Sequence, residues 1–354
     1  MAEAVHDIQI NRLYKIFGPN GAAHVADVEA GMTKDELKAK HNHVLGLDNI
    51  TLTIPAGRIQ VVMGLSGSGK STLIRHINRL IEPTSGEILF EDRDIVKMSQ
   101  TELREFRRRK TAMVFQKFAL FPHRTVLENT SYGLRVSGLS TREAEERARR
   151  WISRVGLDGF EESYPNQLSG GMQQRVGLAR ALTNDAEILL MDEAFSALDP
   201  LIRTDMQSVL LDLQQELRKT IVFITHDLDE ALRLGDKIAI LRDGRIIQQG
   251  TGEQIVLRPA DDYISSFVQD VKRGHVITVR TVMRKGERAD TPVTLPVTAL
   301  LEEAARAMTD ADINRANITG KDGSHVGMIT LKKCVAEMIA PDDREAVDPE
   351  AQVA

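Results

Sequence analysis

The sequence of 354 residues predicts an α/β fold built around a parallel sheet, followed by a second, smaller α/β unit. Short apolar runs rich in β-branched residues, at 59–63, 187–191 and 220–225, have the composition of buried parallel strands and alternate with longer helical segments. A glycine-rich stretch at 64–69 lies between the first of these strands and a helix. After residue 271 the pattern changes to a compact helix–strand–strand–helix unit.

Composition narrows the class of protein. Apolar residues make up 42% of the chain, enough for a sizeable core, and the net charge of −5 argues against a nucleic-acid binder. Cys334 is the only cysteine, so no internal disulfide can form. The N-terminus lacks the pattern of a secretion signal, and no run of about 18 apolar residues occurs. We therefore expect neither a leader nor a membrane-spanning helix, and any membrane role must come through a partner.

The N-terminal region predicts two strands separated by a helical insertion. Residues 8–13 alternate between apolar and polar side chains, and strand character resumes at 44–54. The intervening segment 18–43 contains a capping box, Thr33 followed three residues later by Glu36, which marks the start of a short helix. The sequence does not indicate what this insertion does.

The glycine-rich stretch has the pattern of a phosphate-binding loop. It comprises Gly64, Leu65, Ser66, Gly67, Ser68, Gly69, Lys70, Ser71 and Thr72. Glycines allow backbone N–H groups to converge on a phosphate, and the helix that follows directs its positive end at the same anion. Lys70 is expected to reach the β- and γ-phosphates and Ser71 to hold Mg²⁺. The stretch therefore predicts a site for a nucleotide with Mg²⁺.

The middle of the chain alternates between strands and helices. A strand is predicted at 85–90, a helix at 101–110 and a strand at 112–115, and the region of about 120–184 is mainly helical. An Asp-Gly turn within 238–249 predicts a β-hairpin.

Four side chains follow predicted strands at their carboxyl ends, where open α/β sheets bind ligands. Asp192 is expected to hold Mg²⁺ through water, and Glu193 to act as the general base toward an attacking water. The amide of Gln116 is expected to contact Mg²⁺ or that water. His226 is in position to contact the γ-phosphate and Glu193.

A second anion site is predicted at the start of the long helix near residue 170. Its residues are Leu168, Ser169, Gly170, Gly171 and Gln173. A helix that begins with Ser-Gly-Gly offers free N–H groups, but one nucleotide cannot easily use two such sites of a single fold. Two copies meeting head to tail resolve this, because Ser169 of each copy then faces the γ-phosphate held by the other. Ser196 and Asp199 are candidates for carrying signals across that homodimer.

The order of these motifs resembles that of the ATP-binding-cassette (ABC) ATPases, over roughly residues 8–270. The resemblance implies a RecA-like core with an antiparallel β subdomain and a helical signature subdomain, together forming a domain at 1–271. It implies one ATP site built from Lys70, Ser71, Gln116, Asp192, Glu193 and His226, with Ser169 and Gly171 completing the partner's site. It also implies that Phe17 stacks on adenine, a position where the family more often has Tyr.

Two classes of cassette protein compete. ATPases of DNA repair place a long coiled coil between the phosphate loop and the Ser-Gly-Gly segment, whereas here about 100 positions without a heptad repeat separate them. Cassette proteins of translation carry two cassettes, and this chain has one. The pattern therefore favours the energy-coupling subunit of a membrane transporter over a soluble non-transport ATPase.

The detailed sequence resembles the ATPase of glycine betaine/proline importers. The likeness lies in residues 63–72, 78–83, 113–122 and 191–203. It implies a peripheral subunit on the cytoplasmic face of the plasma membrane, bound to a permease and served indirectly by a substrate-binding protein. The implied cargo is glycine betaine, proline betaine, choline or proline, and an importer of histidine or another amino acid is the alternative. Phe118 and Phe121 are expected either to meet the permease or to lie in the core.

The C-terminal segment 272–340 resembles a single CBS module, a βαββα fold that senses a nucleotide or ionic strength. A C-terminal extension for dimerisation or packing is an equally good interpretation. The tail 341–354 is acidic, contains proline and is expected to be disordered.

Overall fold

The computed structural model describes residues 6–116 and 118–339, so the predicted tail lies outside the described residues. The chain forms two compact units, the first ending at residue 251 and the second beginning at residue 252. Within the described ranges, no helix combines the length and the apolar character needed to cross a bilayer.

The first unit contains ten strands and nine helices among its described residues. The strands are β1 (Ile8–Phe17), β2 (Val44–Ile54), β3 (Ile59–Met63), β4 (Ser85–Phe90), β5 (Arg93–Asp94), β6 (Thr111–Val114), β7 (Ile188–Asp192), β8 (Thr220–Thr225), β9 (Lys237–Arg242) and β10 (Arg245–Gly250). The helices are α1 (Val25–Glu29), α2 (Lys34–His41), α3 (Lys70–Ile77), α4 (Gln100–Arg109), α5 (Val126–Val136), α6 (Thr141–Arg154), α7 (Gly170–Thr183), α8 (Pro200–Leu217) and α9 (Leu228–Leu234).

A six-stranded sheet in the order β10-β9-β3-β8-β7-β6 forms the centre of this unit. The five strands from β9 to β6 are parallel, and β10 joins them as the antiparallel arm of a hairpin. All residues of β3, β7 and β8 are buried, which confirms the prediction from their apolar composition. The carboxyl ends of these strands therefore lie at one edge, where Gln116, Glu193 and His226 follow β6, β7 and β8.

A second sheet, in the order β2-β1-β4-β5, is antiparallel. Its apolar residues join one core with α3 and the central sheet, in which Ile10 and Leu47 belong to the same cluster as Leu73 and Leu190. This packing holds α3, and with it the phosphate loop, between the two sheets.

The insertion at 18–43 is helical, as predicted. A 3-10 turn (Gly21–His24) leads into α1, and α2 begins at the predicted capping box, in which the Thr33 hydroxyl accepts from the backbone N–H of Glu36. Val28 and Leu37 bury their side chains against residues of β1 and β2. The insertion therefore has its own small core.

Helices α5, α6 and α7 occupy the predicted helical region. Thr125 and Ser140 begin α5 and α6 with capping boxes, and Ser169 caps α7. The hairpin between β9 and β10 also forms as predicted, with positive φ angles at Asp243 (51°) and Gly244 (82°).

The second unit contains α10 (Gly252–Leu257), α11 (Asp262–Val268), α12 (Val279–Val282), β11 (Arg284–Lys285), β12 (Thr294–Pro296), α13 (Leu301–Asp310), β13 (Arg315–Thr319), β14 (His325–Thr330) and α14 (Leu331–Met338). Its sheet has the order β11-β14-β13-β12, with β12 parallel to β13 and β13 antiparallel to β14. Cys334 is buried in the core of this unit.

The chain passes from the first compact unit to the second between residues 251 and 252, whereas the predicted boundary is at residue 271. Helix α10 belongs to the second unit because Glu253 accepts hydrogen bonds from the Thr278 backbone N–H and the Thr281 hydroxyl, and Leu257 packs against the core of that unit. Composition changes only after α10 and α11, so it does not reveal this packing.

Candidate nucleotide-binding site

A cavity of about 410 Å³ opens at the N-terminus of α3. Its lining residues are Phe17, Lys34, Val44, Leu45, Gly46, Ser66, Gly67, Gly69, Lys70, Ser71, Thr72, Gln116 and Glu193. Nine of these come from the predicted site. The structure therefore brings the aromatic residue near the N-terminus, the glycine-rich loop and two strand-end residues into one pocket.

Glycine is required at two positions of the loop. Gly69, the residue before α3, has φ 105°, and a Cβ there would lie 2.7 Å from the carbonyl oxygen of Gly46. Gly64 has φ 153°, and its Cβ would collide with the carbonyl oxygen of Leu241. A side chain at either position would force the loop away from its neighbours, so the tight backbone that exposes N–H groups to an anion depends on both glycines.

Lys70 lies beneath the loop, and only 4% of it is exposed. Its ammonium group donates to the carbonyl oxygens of Gly64 (2.8 Å) and Leu65 (3.0 Å) and lies 3.6 Å from Oε1 of Glu193. Burial lowers the pKa of Lys70, and the charge of Glu193 opposes that shift. The lysine is thus held in the loop by neutral carbonyls, from which it can turn to an incoming phosphate.

Asp192 is buried at the end of β7 and binds two side chains of α3. The Ser71 hydroxyl donates to Oδ1 at 2.8 Å, and the Arg75 guanidinium contacts Oδ2 at 3.1 Å. A hydroxyl and a carboxylate oxygen side by side are hard donors of the kind that Mg²⁺ prefers.

The side chains of Gln116 and His226 converge on the carboxylate of Glu193. Its Oε2 accepts from Nε2 of Gln116 at 3.2 Å and lies 3.7 Å from Nδ1 of His226. The backbone of Glu193 has φ 47°, a region that non-glycine residues seldom adopt and that costs of order 1–3 kcal/mol. Strain of this kind is typical of functional positions, and here it turns the carboxylate into the cavity.

Phe17 forms one wall of the cavity and is 38% exposed. Its ring lies against Gly46, and Nζ of Lys15 is 5.0 Å from the ring centroid. One aromatic surface is therefore accessible to a planar group such as a base.

The Ser-Gly-Gly segment lies elsewhere. Among the residues that the structure describes, none from 168 to 173 lines the cavity. The Ser169 hydroxyl accepts from the Met172 N–H at 3.3 Å, and a Cβ on Gly171 would lie 2.6 Å from the Ile202 side chain. Asp199 likewise caps α8, accepting from the N–H of Ile202 at 3.1 Å. One chain thus carries two helix N-termini that do not share a pocket.

Comparison with known proteins identifies the family. A family profile for ABC transporters matches residues 47–196. The chain is 54% identical over 280 residues to the glycine betaine transport ATP-binding protein OpuAA of Bacillus subtilis (strain 168), covering 79% of this chain and 67% of that protein. It is 46% identical over 327 residues to the glycine betaine/proline betaine transport system ATP-binding protein ProV of Escherichia coli (strain K12), covering 92% and 80%.

The chain belongs to the ABC transporter ATP-binding proteins. Among solved structures, this ABC protein is similar to the dimeric post-hydrolysis state of the cassette MJ0796 bound to ADP and Pi. The TM-score is 0.59 at 32% identity, and the match covers 69% of this chain and 98% of that one. The predicted cassette fold and ATPase class are therefore confirmed.

Several residues of this ABC site were not foreseen. Lys34 reaches the cavity from the first turn of α2, and Arg75 binds Asp192 from the second turn of α3. The capping box places the start of α2, but nothing in the sequence pattern shows that this helix end faces the phosphate loop. Arg75 follows Ser71 by one helical turn, a spacing that indicates a shared face.

Proposed function

We propose that this chain is the energy-coupling ATPase of an importer for glycine betaine and related quaternary amines. The convergence of Lys70, Gln116 and His226 on Glu193, beside a phosphate loop, carries the ATPase role. The names of the relatives support the cargo, because proteins similar over most of their length to this chain are glycine betaine transport ATP-binding proteins.

In the proposed hydrolysis, Glu193 accepts a proton from water as the water oxygen bonds to the γ-phosphorus and the bond to the ADP oxygen breaks. Gln116, 3.2 Å from Glu193, orients that water, and His226 donates a hydrogen bond to the γ-phosphate. Lys70 balances the phosphate charge. Its ammonium group donates hydrogen bonds to the carbonyl oxygens of Gly64 and Leu65 and lies 3.6 Å from the carboxylate of Glu193.

The donor set fits Mg²⁺. Ser71 and Asp192 present two oxygens that lie 2.8 Å apart, and Gln116 lines the nucleotide cavity together with Ser71. We assign the direct contact to Ser71 and contacts through water to Asp192 and Gln116. When bound, Mg²⁺ would neutralise charge on the β- and γ-phosphates.

Two copies of the chain are proposed to close over two ATP molecules. Ser169 is proposed to donate its hydroxyl proton, because its oxygen accepts from the Met172 N–H and its O–H has no acceptor among the described residues. Gly171, which packs against Ile202 of its own chain, is proposed to offer its backbone N–H to the partner's phosphate, and Asp199 and Ser196 lie at the start of α8 and in the loop before it. The dimeric state of the similar cassette MJ0796 supports this arrangement.

A groove of about 800 Å³ is proposed as the docking site for the permease. It lies between α4, the loop after β6, α5 and the end of α7, and its apolar surface includes Met113, Phe121 and Val136. Phe118 and Phe121 are half-buried, so their exposure does not decide between contact with the permease and a place in the core. Arg180 donates to the carbonyl oxygens of Phe118 and Ala119 and so connects this groove to the loop that carries Gln116. The chain would act at the cytoplasmic face of the plasma membrane.

Residues 272–340, which lie within the second unit, are proposed to form a single CBS-like module. Its order β12-α13-β13-β14-α14, with one parallel and one antiparallel pairing, supports a βαββα assignment. A sensor and a packing extension make different predictions, because deleting 272–354 alters the salt response of ATP hydrolysis only in the first case.

Uptake in vesicles tests the proposed cargo. The chain is reconstituted with a permease and a substrate-binding protein of the proposed importer class, and uptake of labelled glycine betaine is followed with unlabelled histidine or choline as competitor. We expect ATP-dependent uptake that choline reduces and histidine leaves unchanged. Competition by histidine alone would reassign the cargo, and Lys70→Ala controls for uptake that does not depend on ATP.

A further inference from the structure

Three side chains with metal-ligating atoms converge in the insertion between β1 and β2. His24 ends the 3-10 turn, Asp27 lies in the first turn of α1, and His41 is the last residue of α2. One ligand atom from each lies within 4.8 Å of the others, and Nδ1 of His24 is 3.3 Å from Oδ2 of Asp27. Ligands bound tetrahedrally to Zn²⁺ at about 2.1 Å are separated by about 3.4 Å. One pair thus already has this spacing, and the ligand atom of His41 lies within 4.8 Å of both.

The ring of His41 packs against the ring of His24. Its ring lies 4.1 Å from that of His24, centroid to centroid, with the planes tilted by 34°. Among the described residues, no group forms a hydrogen bond or ion pair with its ring nitrogens. His41 is exposed, so the two nitrogens of its ring are open to a ligand from solvent.

A third histidine nearby is excluded as a ligand. The ring of His43 is 4.7 Å from that of His24, but its two nitrogens lie 2.7 Å from the carbonyl oxygens of His41 and Pro19. It is 7% exposed and links the two ends of the insertion. The cluster therefore offers three ligands, two imidazoles and one carboxylate.

We propose that His24, Asp27 and His41 bind one divalent first-row transition ion of the Zn²⁺ class. Imidazole donors suit Zn²⁺ and its neighbours in that row, whereas Mg²⁺ favours oxygen donors and keeps its water shell. Three protein ligands leave one position for water. The ion would join the 3-10 turn and α1 to the end of α2, and so fix the helix whose first turn brings Lys34 to the nucleotide cavity. None of the three residues belongs to the proposed hydrolytic site.

The test measures metal binding itself. The full chain, purified without a polyhistidine tag and stripped with a chelator, is titrated with Zn²⁺ by calorimetry in excess Mg²⁺. We expect one ion per chain, and a tetrahedral cobalt spectrum when Co²⁺ replaces Zn²⁺. His24→Ala and His41→Ala should each weaken binding by more than about tenfold, and Asp27→Asn by less, since an amide oxygen is a poorer ligand.

His123→Ala is the matched control, because this exposed histidine lies outside the insertion and should leave the titration unchanged. A second measurement is the rate of trypsin cleavage at Lys38 and Lys40, which Zn²⁺ should slow in the natural chain but not in His41→Ala. Equal Zn²⁺ affinity in the natural chain and both histidine variants would overturn the proposal. So would loss of the bound ion in His123→Ala.

Discussion

Two helices of the first unit begin at predicted anion sites, and their N-termini differ. Helix α3 follows Gly69, which has no side chain to cap it, and Lys70 lies at its first position. Helix α7 follows Ser169, whose hydroxyl caps it. The first end has no side-chain cap and lies beside charged residues, whereas the second is capped by the Ser169 hydroxyl. Nucleotide binding should therefore depend on α3 in the single chain, and α7 should act only once a partner arrives.

The largest effect is expected from removing the base at the α3 side. Glu193→Gln should bind ATP, lose about 100-fold or more in hydrolysis rate, and accumulate as an ATP-bound dimer. Phosphate release and light scattering after size exclusion measure both effects. Glu187→Gln is the control, because Glu187 lies at the opposite end of β7 and pairs with Lys110. Turnover at the natural rate in Glu193→Gln would remove this residue from the base role.

At α7, helix stability and function can be separated. Ser169→Asp keeps a strong N-cap but directs a negative charge at the partner's phosphate, so hydrolysis should fall by about tenfold or more while the melting temperature holds. Ser169→Ala should lose about 1 kcal/mol of stability with the cap, and less activity than the Asp variant. Both should bind ATP normally as monomers. A loss of monomer affinity would mean that α7 contributes to the site of its own chain.

Lowering the pH should increase hydrogen exchange in α3 more than in α7. His76 is fully buried on α3 and its Nδ1–H donates to the Thr72 carbonyl, and burial lowers the pKa of His76 to about 4. The unfolded chain takes up this proton below about pH 6.5. The contribution of neutral His76 to the free energy of unfolding is therefore fully present above that pH, and it falls by about 3 kcal/mol as the pH drops toward 4. Hydrogen exchange in α3 and α7 at pH 7 and pH 4.5 measures the difference. In His76→Gln the added acid sensitivity of α3 should disappear, and a similar response of α3 in that variant would assign it elsewhere.

The smallest effect concerns Lys34, which gives the α3 cavity a cation from the insertion. Lys34→Ala should raise the KM for ATP by up to about fivefold with kcat unchanged, as an exposed charge contributes at most about 1 kcal/mol. Lys38→Ala, on the same helix and exposed, should leave both constants unchanged. An equal rise in KM for the two variants would indicate a general effect of surface charge.

The sequence predicts local structure most reliably where the residue types and their order in the chain both favour the same backbone conformation. The run at 188–191 is apolar throughout and the run at 59–63 is apolar except for Gln60, a composition typical of a strand covered on both faces, and both are indeed buried. The sequence predicted the capping box of Thr33 and the Asp-Gly turn at 243–244 equally well, because each of these motifs has a specific backbone geometry.

Contacts between distant segments could not be predicted in the same way. That Lys34 reaches the cavity follows from how the insertion packs on β1 and β2, and no local pattern encodes it. The first unit ends earlier than expected because Glu253 bonds to Thr278, a contact made by two polar residues in otherwise ordinary sequence. The left-handed backbone of Glu193 also depends on its surroundings, since a glutamate has no preference for it.

Cys334, the chain's single cysteine, is buried, and burial raises the pKa of its thiol to about 11, so we expect little reaction with thiol reagents at neutral pH. The natural chain is therefore already a background for site-directed labelling. A reporter dye or spin label attached to a cysteine introduced at an exposed position outside the nucleotide cavity and α7 would follow the approach of two chains in real time, with no native thiol to remove first.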